Sequence, residues 1–148
     1  MSSDNPLSHS ITLLVRDHCL CLHVQRAARA LARRFDEAFR PLGLTSGQFS
    51  LLMSLNRPEP PPMGPVASLL AMDRTTLTAA LKPLERRGLV RIANDRNDRR
   101  SRSLILTAKG RNLLARAAPI WQLTHAEVER HLSSAKLDEL RASLMAVS

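Results

Sequence analysis

The sequence predicts a mainly α-helical chain that carries one small β-hairpin. Apolar residues recur every three or four positions over much of its 148 residues, which is the period of amphipathic helices. Two short apolar runs on either side of the polar loop "NDRNDRRSR" indicate a hairpin instead. The chain has an ordinary 44% hydrophobic and 24% charged residues. Its length suits one domain with its own core, or a small domain that carries long helical extensions.

The first two predicted helices occupy the segment before residue 57. The first runs from Asp17 to Arg40 and places its apolar residues in alternating steps of three and four: Cys21, Val24, Ala28, Leu31, Phe35 and Ala38. Pro41 and Gly43 end it. Thr45 is the predicted N-cap of the second helix. The buried stripe of that helix is predicted to contain Phe49, Leu51, Leu52 and Leu55.

A proline-rich segment and a pair of short helices follow. The five prolines of "RPEPPPMGP", residues 57–65, lack the backbone donors that a helix needs, so we expect a stiff connector. A two-turn helix is predicted from Val66 to Leu70, and a tight turn at residues 71–73. Asp73 can accept from the free amides of the next helix, which therefore begins at Arg74. This order is a helix-turn-helix.

The remaining elements are a hairpin and two helices. Strands predicted at Leu89–Ala93 and Ser103–Leu106 pair around the loop at residues 94–102. Thr107 is expected to cap a long helix that reaches about Leu132, and Ser133 or Ser134 to cap a final one. The final helix carries Leu137, Leu140 and Leu144.

The helix that begins at Arg74 has two contrasting faces. At about 100° per residue, its leucines at 77, 81 and 84 fall on one side, which we expect to be buried. The opposite side carries hydroxyls, one small residue and two cations, with no acid: Thr75, Thr78, Ala79, Lys82 and Arg86. Such side chains can contact thymine methyls, base edges and phosphates in a DNA major groove. An ordinary solvated face is the alternative.

Positive charge is concentrated beside that face. The formal net charge is +9, and residues 74–102 contain nine Lys or Arg against three acids. Four arginines crowd the hairpin loop, an arrangement that costs energy unless a polyanion neutralises it: Arg96, Arg99, Arg100 and Arg102. Asp98 is expected to hold one guanidinium through a bidentate contact. A membrane-surface helix would need a strong apolar face rich in Trp and Phe, so nucleic acid is the predicted partner.

Three segments resemble a known family. "GQFSLL", "VASLLAMDRTTLTAALKPLERRGLV" and "NDRNDRRSRSLILTAKG" are similar to segments of the winged-helix repressors of the multiple antibiotic resistance regulator (MarR) type, and the resemblance runs from about Cys21 to the C-terminus. It implies a homodimer that binds palindromic promoter DNA and is released by a small, often phenolic or anionic, ligand. It also implies a recognition helix at residues 74–88 and a wing at residues 94–102.

The faces and the resemblance together give the predicted DNA-binding residues. These are Arg74, Thr75, Thr76, Thr78, Lys82, Arg86, Arg96, Asp98, Arg99, Arg100 and Arg102. One departure from the family pattern is visible, because many relatives have Gly in the turn where this chain has Ala71. If the backbone there is left-handed, Ala costs about 1 kcal/mol relative to Gly.

The predicted architecture is a single winged helix-turn-helix domain, residues 1–148, flanked by dimerisation helices. We expect the DNA-binding core at about residues 45–107 and the dimerisation helices at residues 7–44 and 108–148. The core is too small to cover the apolar stripes of these helices, whereas a two-fold dimer would bury them and present two recognition helices. The half-sites would lie about 34–36 Å apart. A monomer with folded-back terminal helices is the alternative.

An effector pocket is expected where the long helices meet the winged core. Its candidate lining residues are Phe39, Phe49, Leu52 and Trp121. Their apolar character favours an aromatic ligand, although ordinary core packing would also explain all four. The resemblance does not identify the ligand.

The stretch "DHCLCLH" suggests a different chemistry. On one helix Cys19 and Cys21 would lie about 200° apart, too far round to share a disulfide or a metal. The neighbouring Cys/His pairs supply only two ligands each, so we expect no metal and no cofactor. Cys21 is predicted to be a buried, reduced thiol. Redox sensing by Cys21 is the alternative, because the hydroperoxide-responsive branch of the family has a cysteine in a similar place, but this chain lacks the tyrosines of that branch.

Other classes of protein are less consistent with the sequence. No apolar run approaches the roughly 18 residues of a membrane span, and "MSSDNPLSHS" lacks the features of a signal peptide, so a cytoplasmic protein without a membrane partner is expected. No Gly-rich phosphate loop or nucleophile elbow indicates an enzyme. A non-specific architectural DNA-binding protein remains the rival, because basic charge alone supplies such binding.

Overall fold

The computed structural model describes residues 7–95, 97–98 and 100–148. Within these residues the chain forms seven α-helices and one two-stranded antiparallel sheet, which confirms the mainly helical fold class. The elements are α1 His9–His18, α2 Leu20–Phe39, α3 Ser46–Ser54, α4 Met63–Leu69, α5 Arg74–Arg86, β1 Val90–Asn94, β2 Arg102–Leu106, α6 Ala108–Glu129 and α7 Ser134–Ala146. A 3-10 turn, Arg40–Leu42, joins α2 to α3.

One core lies between α3, α4, α5, the hairpin and the first half of α6. Its fully enclosed side chains are mostly leucine: Phe39, Leu51, Leu52, Val66, Leu77, Leu81, Leu84, Leu89, Val90 and Leu104. Helix α2 contributes only its last residue, Phe39, to the buried set, and α1 and α7 contribute none. The helix-turn-helix α4–α5 and its hairpin therefore have a core within one chain, whereas α1 and α7 do not.

The predicted N-caps are confirmed. The Thr45 hydroxyl accepts the N–H of Gln48 at 3.1 Å, and the Gln48 side chain accepts the N–H of Thr45 at 3.1 Å, which together form a capping box. Thr107 caps α6 through the N–H of Gly110. Of the two serines considered for α7, Ser133 is the cap. These caps fix the first turns of three helices because each satisfies an otherwise free amide.

The single helix predicted from Asp17 to Arg40 is wrong at its N-terminal end. The chain forms a separate helix, α1, and α2 begins at Leu20. Cys19 lies between them with an extended backbone, and its thiol accepts the N–H of Leu22 at 3.4 Å. No Pro or Gly marks this break, so the sequence carries no conventional stop signal there.

The proline-rich connector was predicted to be non-helical through Pro65, and this is also wrong at one end. Helix α4 begins at Met63, two residues before Pro65. The N–H groups of the first helical turn have no intrahelical partner, so a proline in that turn removes no hydrogen bond. The helix therefore tolerates Pro65 and runs one turn earlier than predicted.

The connector also extends the hairpin. Leu104 donates its N–H to the carbonyl of Pro61 at 2.9 Å, and Pro62 forms an isolated bridge with Ser103. The strands themselves begin and end within one residue of their predicted positions, and they pair from Val90 opposite Leu106 to Asn94 opposite Arg102. The segment just before α4 is thus hydrogen-bonded to the hairpin.

The terminal helices leave many apolar side chains exposed within one chain. In α7, Leu140 is 44% and Leu144 is 40% exposed, and in α1 Leu14 is 54% exposed. The predicted apolar stripe of the last helix therefore exists, but this chain does not cover it. No helix in the described part of the chain is both long and apolar enough to span a bilayer.

Candidate nucleic-acid interface

The turn before α5 fixes the direction of that helix. Ala71 has φ +52°, a left-handed conformation, and it is the only non-glycine residue with positive φ in the described chain. The N–H of Met72 bonds to the carbonyl of Ala67 at 2.9 Å, and the N–H of Ala71 bonds to Ser68 at 3.2 Å. These two bonds form a Schellman motif at the end of α4. The left-handed position considered from the family pattern is therefore present, and it is occupied by Ala.

Asp73 begins α5 as predicted. Its carboxylate accepts the backbone N–H of Thr76 at 2.7 Å. This hydrogen bond is the main reason that the pKa of the Asp73 carboxyl lies below its ordinary value, and the hydroxyl of Thr76 acts in the same direction. The negative charge also suits the positive end of the helix. Turn and cap together define where the exposed face of α5 starts.

The two faces of α5 are those that the sequence predicts. Leu77, Leu81 and Leu84 are each 0% exposed. The predicted DNA-facing residues of this helix are all exposed: Arg74, Thr75, Thr76, Thr78, Lys82 and Arg86. Because three leucines fix the rotation of the helix in the core, the hydroxyls and cations cannot turn inward without unpacking it.

Backbone hydrogen bonds shape the tip of the hairpin. The Asp98 carboxylate accepts the N–H of Arg100 at 2.9 Å, and the carbonyl of Asp98 accepts the N–H of Ser101 at 3.0 Å. The predicted bidentate contact from Asp98 is not formed with either described guanidinium of the tip, Arg100 or Arg102, because the carboxylate bonds to the backbone instead. Arg96 and Arg99 lie outside the described residues.

A concave cleft of about 670 Å³ separates α5 from the hairpin. Arg74 and Thr78 line it from α5, and Arg100 and Arg102 line it from the hairpin. Among the described residues no acid pairs with any of these three guanidinium groups, although Asp98 also borders the cleft. Unpaired cations around a concave surface produce a positive potential that attracts a polyanion.

The start of α4 forms part of this cleft, which sequence reasoning missed. Pro62, Met63 and Gly64 line it. They reach it because the connector pairs with β2 through Leu104, a contact between residues distant in sequence. The repeated prolines signal an extended segment, but nothing in their pattern indicates which strand they pair with.

A second, smaller cavity of about 260 Å³ lies where α2, α3 and α6 meet. Three of the four predicted effector-pocket residues line it: Phe39, Phe49 and Trp121. Leu52 does not, because it lies inside the core and is 0% exposed. The remaining lining residues were not predicted: Phe35, Ser46, Ser50 and His125. Their positions offered a partial signal, since Phe35 and His125 each lie one helical turn from a predicted residue.

Aromatic rings form most of this cavity. The rings of Phe39 and Phe49 stack with centroids 4.7 Å apart, and those of Trp121 and His125 stack at 4.6 Å. His125 Nδ1 lies 3.1 Å from a carboxylate oxygen of Glu129. No Lys or Arg is among the described lining residues. The cavity therefore presents π-faces, two serine hydroxyls and one imidazole.

The cysteines are not placed as predicted. Cys21 is exposed within the chain and Cys19 is half-buried, and neither forms a disulfide. The expectation of a buried Cys21 is wrong for the single chain because the face of α2 that carries it is not covered by another element. No set of three or more metal-ligating side chains comes together in the described ranges. Redox sensing by Cys21 stays a prediction.

Comparisons with known proteins agree with this geometry. A MarR family model matches residues 44–101. The HTH-type transcriptional regulator TtmR of Methylorubrum extorquens is 40% identical over 97 residues, which cover 66% of this chain and 50% of TtmR. The chain spans about half to two-thirds of the length of the curated relatives that it matches.

Two solved structures bound to DNA are similar over nearly their whole length. The M. tuberculosis transcriptional regulator MosR in complex with DNA is 38% identical, with a TM-score of 0.78, and the match covers 86% of this chain and 93% of that one. The transcriptional repressor CouR bound to a 23-mer DNA duplex is 30% identical, with a TM-score of 0.78, and the match covers 90% of this chain and 94% of that one.

Proposed function

The chain belongs to the MarR family of transcriptional regulators, and from that premise we propose that it is a sequence-specific DNA-binding repressor. It binds a palindromic site as a homodimer, and a small ligand releases it. The observation that carries the proposal is the cleft between α5 and the hairpin, because Arg74 and Thr78 face Arg100 and Arg102 across it. One duplex can contact both sides of such a cleft.

The residue types on the two sides suit different parts of DNA. Thr75, Thr78 and the small Ala79 on the exposed face of α5 can approach base edges and thymine methyls in the major groove. The hairpin arginines are suited to the phosphate backbone or to a narrow minor groove. A non-specific architectural protein would need only the cations, so the hydroxyl-bearing face favours sequence recognition.

The homodimer is supported by the uncovered helices. Neither α1 nor α7 has a buried residue, although both carry large apolar side chains that are 40% or more exposed. Covering them with the same helices of a second copy would remove this apolar surface from water and place two α5 helices on one side of the dimer. Each would then read one half of a palindrome.

The aromatic cavity is the proposed ligand site. Its stacked rings suit an aromatic molecule, and the hydroxyls of Ser46 and Ser50 can hydrogen-bond a polar group on that molecule. Glu129 beside His125 disfavours a carboxylate at that end of the cavity, since two negative charges would lie close together. A compound that binds here should raise the melting temperature and weaken DNA binding, because both effects follow from preferential binding to one state.

Selection from a random duplex pool, followed by competition, tests the proposed DNA recognition. We expect the enriched palindrome to bind at least about 10³-fold more tightly than random duplex at physiological salt. Thr78→Ala should change the preferred bases, whereas Thr12→Ala, which alters an exposed threonine on α1, should not. A ratio near one for the wild-type protein would contradict sequence recognition and favour the architectural alternative.

A further inference from the structure

We infer that Arg87 does not contact DNA, although it follows the DNA-facing Arg86, and that it positions α5 relative to the aromatic cavity. The α2–α3 corner comprises residues 42–45. The inference rests on the proposed function only in assuming that α5 binds DNA. In this role Arg87 couples the aromatic cavity to α5 and is not part of the positively charged DNA-binding surface.

The side chain of Arg87 bonds to the α2–α3 corner. Its Nη1 donates to the carbonyl of Gly43 at 2.7 Å, and Nη2 approaches the carbonyl of Leu42 at 3.4 Å. Gly43 ends the 3-10 turn with φ +64°, so these carbonyls lie at the negative end of a helical turn, where a cation is stabilising. Arg87 is half-buried, whereas Arg86 is exposed. The guanidinium of Arg87 is therefore bonded to backbone carbonyls of its own chain.

The backbone of Arg87 bonds in a second direction. Lys109 Nζ donates to the carbonyl of Arg87 at 2.7 Å. Lys109 lies in the first turn of α6, the helix that carries Trp121 and His125 into the cavity. On the other side, Phe39 and Ser46 flank the α2–α3 corner and line the same cavity. Arg87 thus bonds to the α2–α3 corner beside the cavity and to the first turn of α6, the helix whose later turns line the cavity.

These bonds give the cavity a mechanical link to the recognition helix. The guanidinium is a planar fork held by two carbonyls, so the corner and the end of α5 move together unless these hydrogen bonds break. A ligand that shifts the corner would move the last turn of α5, which carries Arg86, relative to the hairpin. The reverse also holds, because coupling between two sites is reciprocal. DNA binding should therefore change the surroundings of Trp121.

Trp121 is the only tryptophan of the chain, so its fluorescence reports on the cavity without an identified ligand. The test compares Arg87→Met with Arg86→Met, each saturated with the same enriched duplex. We expect the emission of Trp121 to change on DNA binding in the wild type and in Arg86→Met, and not in Arg87→Met. Arg87→Lys keeps the charge but not the fork, so its change should be smaller than that of the wild type.

Salt dependence separates positioning from phosphate contact. Arg86→Met should lower the slope of log affinity against log salt by about one, whereas Arg87→Met should keep the wild-type slope and lose roughly tenfold in operator affinity. If Arg87→Met does not fold, Arg87→Lys with Lys109→Met supplies the same measurements.

Three outcomes would overturn the inference, and a fourth would refute the proposed function instead. A loss of about one in slope for the Arg87 variants, or an unchanged Trp121 response in them, overturns the inference. A wild-type protein that binds the operator without any change in Trp121 emission also overturns it. A wild-type protein without sequence preference refutes the proposed function instead.

Discussion

The winged part of the molecule and its terminal helices differ in how completely one chain covers them. From α3 to β2 every helix and strand contributes buried residues, and the three leucines of α5 are fully enclosed. In α1 and α7 no residue is buried, although their apolar residues recur at helical spacing. The difference teaches that the winged part folds around its own core, whereas one chain alone does not cover the apolar residues of its terminal helices.

The largest expected effect is a loss of unfolding free energy, and it compares one leucine of the winged part with one leucine of a terminal helix. Leu104→Ala on β2 removes a side chain that is 0% exposed, and it should lower the free energy of unfolding by about 4 kcal/mol. Leu140→Ala on α7, where the side chain is 44% exposed, should weaken self-association instead. Chemical denaturation and sedimentation at several protein concentrations measure the two effects. Equal losses of unfolding free energy, without any change in association, would contradict the comparison.

Adding a side chain at Gly110, where α6 packs against the end of the hairpin, should lower the free energy of unfolding by nearly as much. A Cβ added at Gly110 would lie 2.3 Å from the carbonyl oxygen of Leu89 and 2.7 Å from Leu106 Cδ1. Gly110→Ala should therefore cost about 3 kcal/mol, because the backbone must move apart. Gly47→Ala is the matched control, since nothing lies within 4 Å of its added Cβ. Thermal unfolding would oppose this account if both variants melted like the wild type.

The cap of α5 should make a smaller, pH-dependent contribution. The folded-state pKa of Asp73 is lowered, so the carboxylate stabilises the fold above its unfolded pKa of about 3.9, and this contribution is lost as the pH falls through the folded pKa. Asp73→Ala should lower the melting temperature by a few degrees near neutral pH and by less in acid. Asp73→Asn keeps an acceptor without the titration. An Asp73→Ala deficit that grows toward acid would show that the sign is wrong.

The smallest predicted effect is an increase in the free energy of unfolding, and it comes from a substitution at Ala71. Ala71 holds φ +52°, where an L side chain is strained and Gly is not. Ala71→Gly should therefore raise the unfolding free energy by about 0.5 kcal/mol, since the relief of strain exceeds the added entropy of the unfolded chain. Ala79→Gly, in the middle of α5, should instead lower it by about 1 kcal/mol. Losses of equal size in both variants would exclude strain at Ala71.

Local signals explain what the sequence predicted correctly. The cap at Asp73 and the leucine spacing of α5 involve residues a few positions apart, so the exposed face of that helix followed directly. The pairing of Pro61 with Leu104 is non-local, and the break at Cys19 has no Pro or Gly to mark it. Neither could be inferred from periodicity.

The DNA-binding face and the aromatic cavity differ in the same way in how well the sequence predicts them. The exposed residues of α5 were identified from one face of one helix. The cavity, by contrast, combines side chains from α2, α3 and α6, and its lining differs from the predicted one in that it contains His125 and not Leu52. The Asp98 carboxylate accepts the backbone N–H of Arg100, whereas the pattern of charges had indicated a neighbouring guanidinium as its partner. Choosing between these partners requires the geometry of the turn.

The salt dependence of operator binding tests the central claim that α5 and the hairpin contact one duplex together. For wild type, Arg86→Ala, Arg100→Ala and the double variant, log affinity is measured against log salt. The account predicts that each single variant lowers the slope by about one and that the double variant lowers it by about two. An Arg100→Ala slope equal to that of the wild type would contradict simultaneous contact by helix and hairpin.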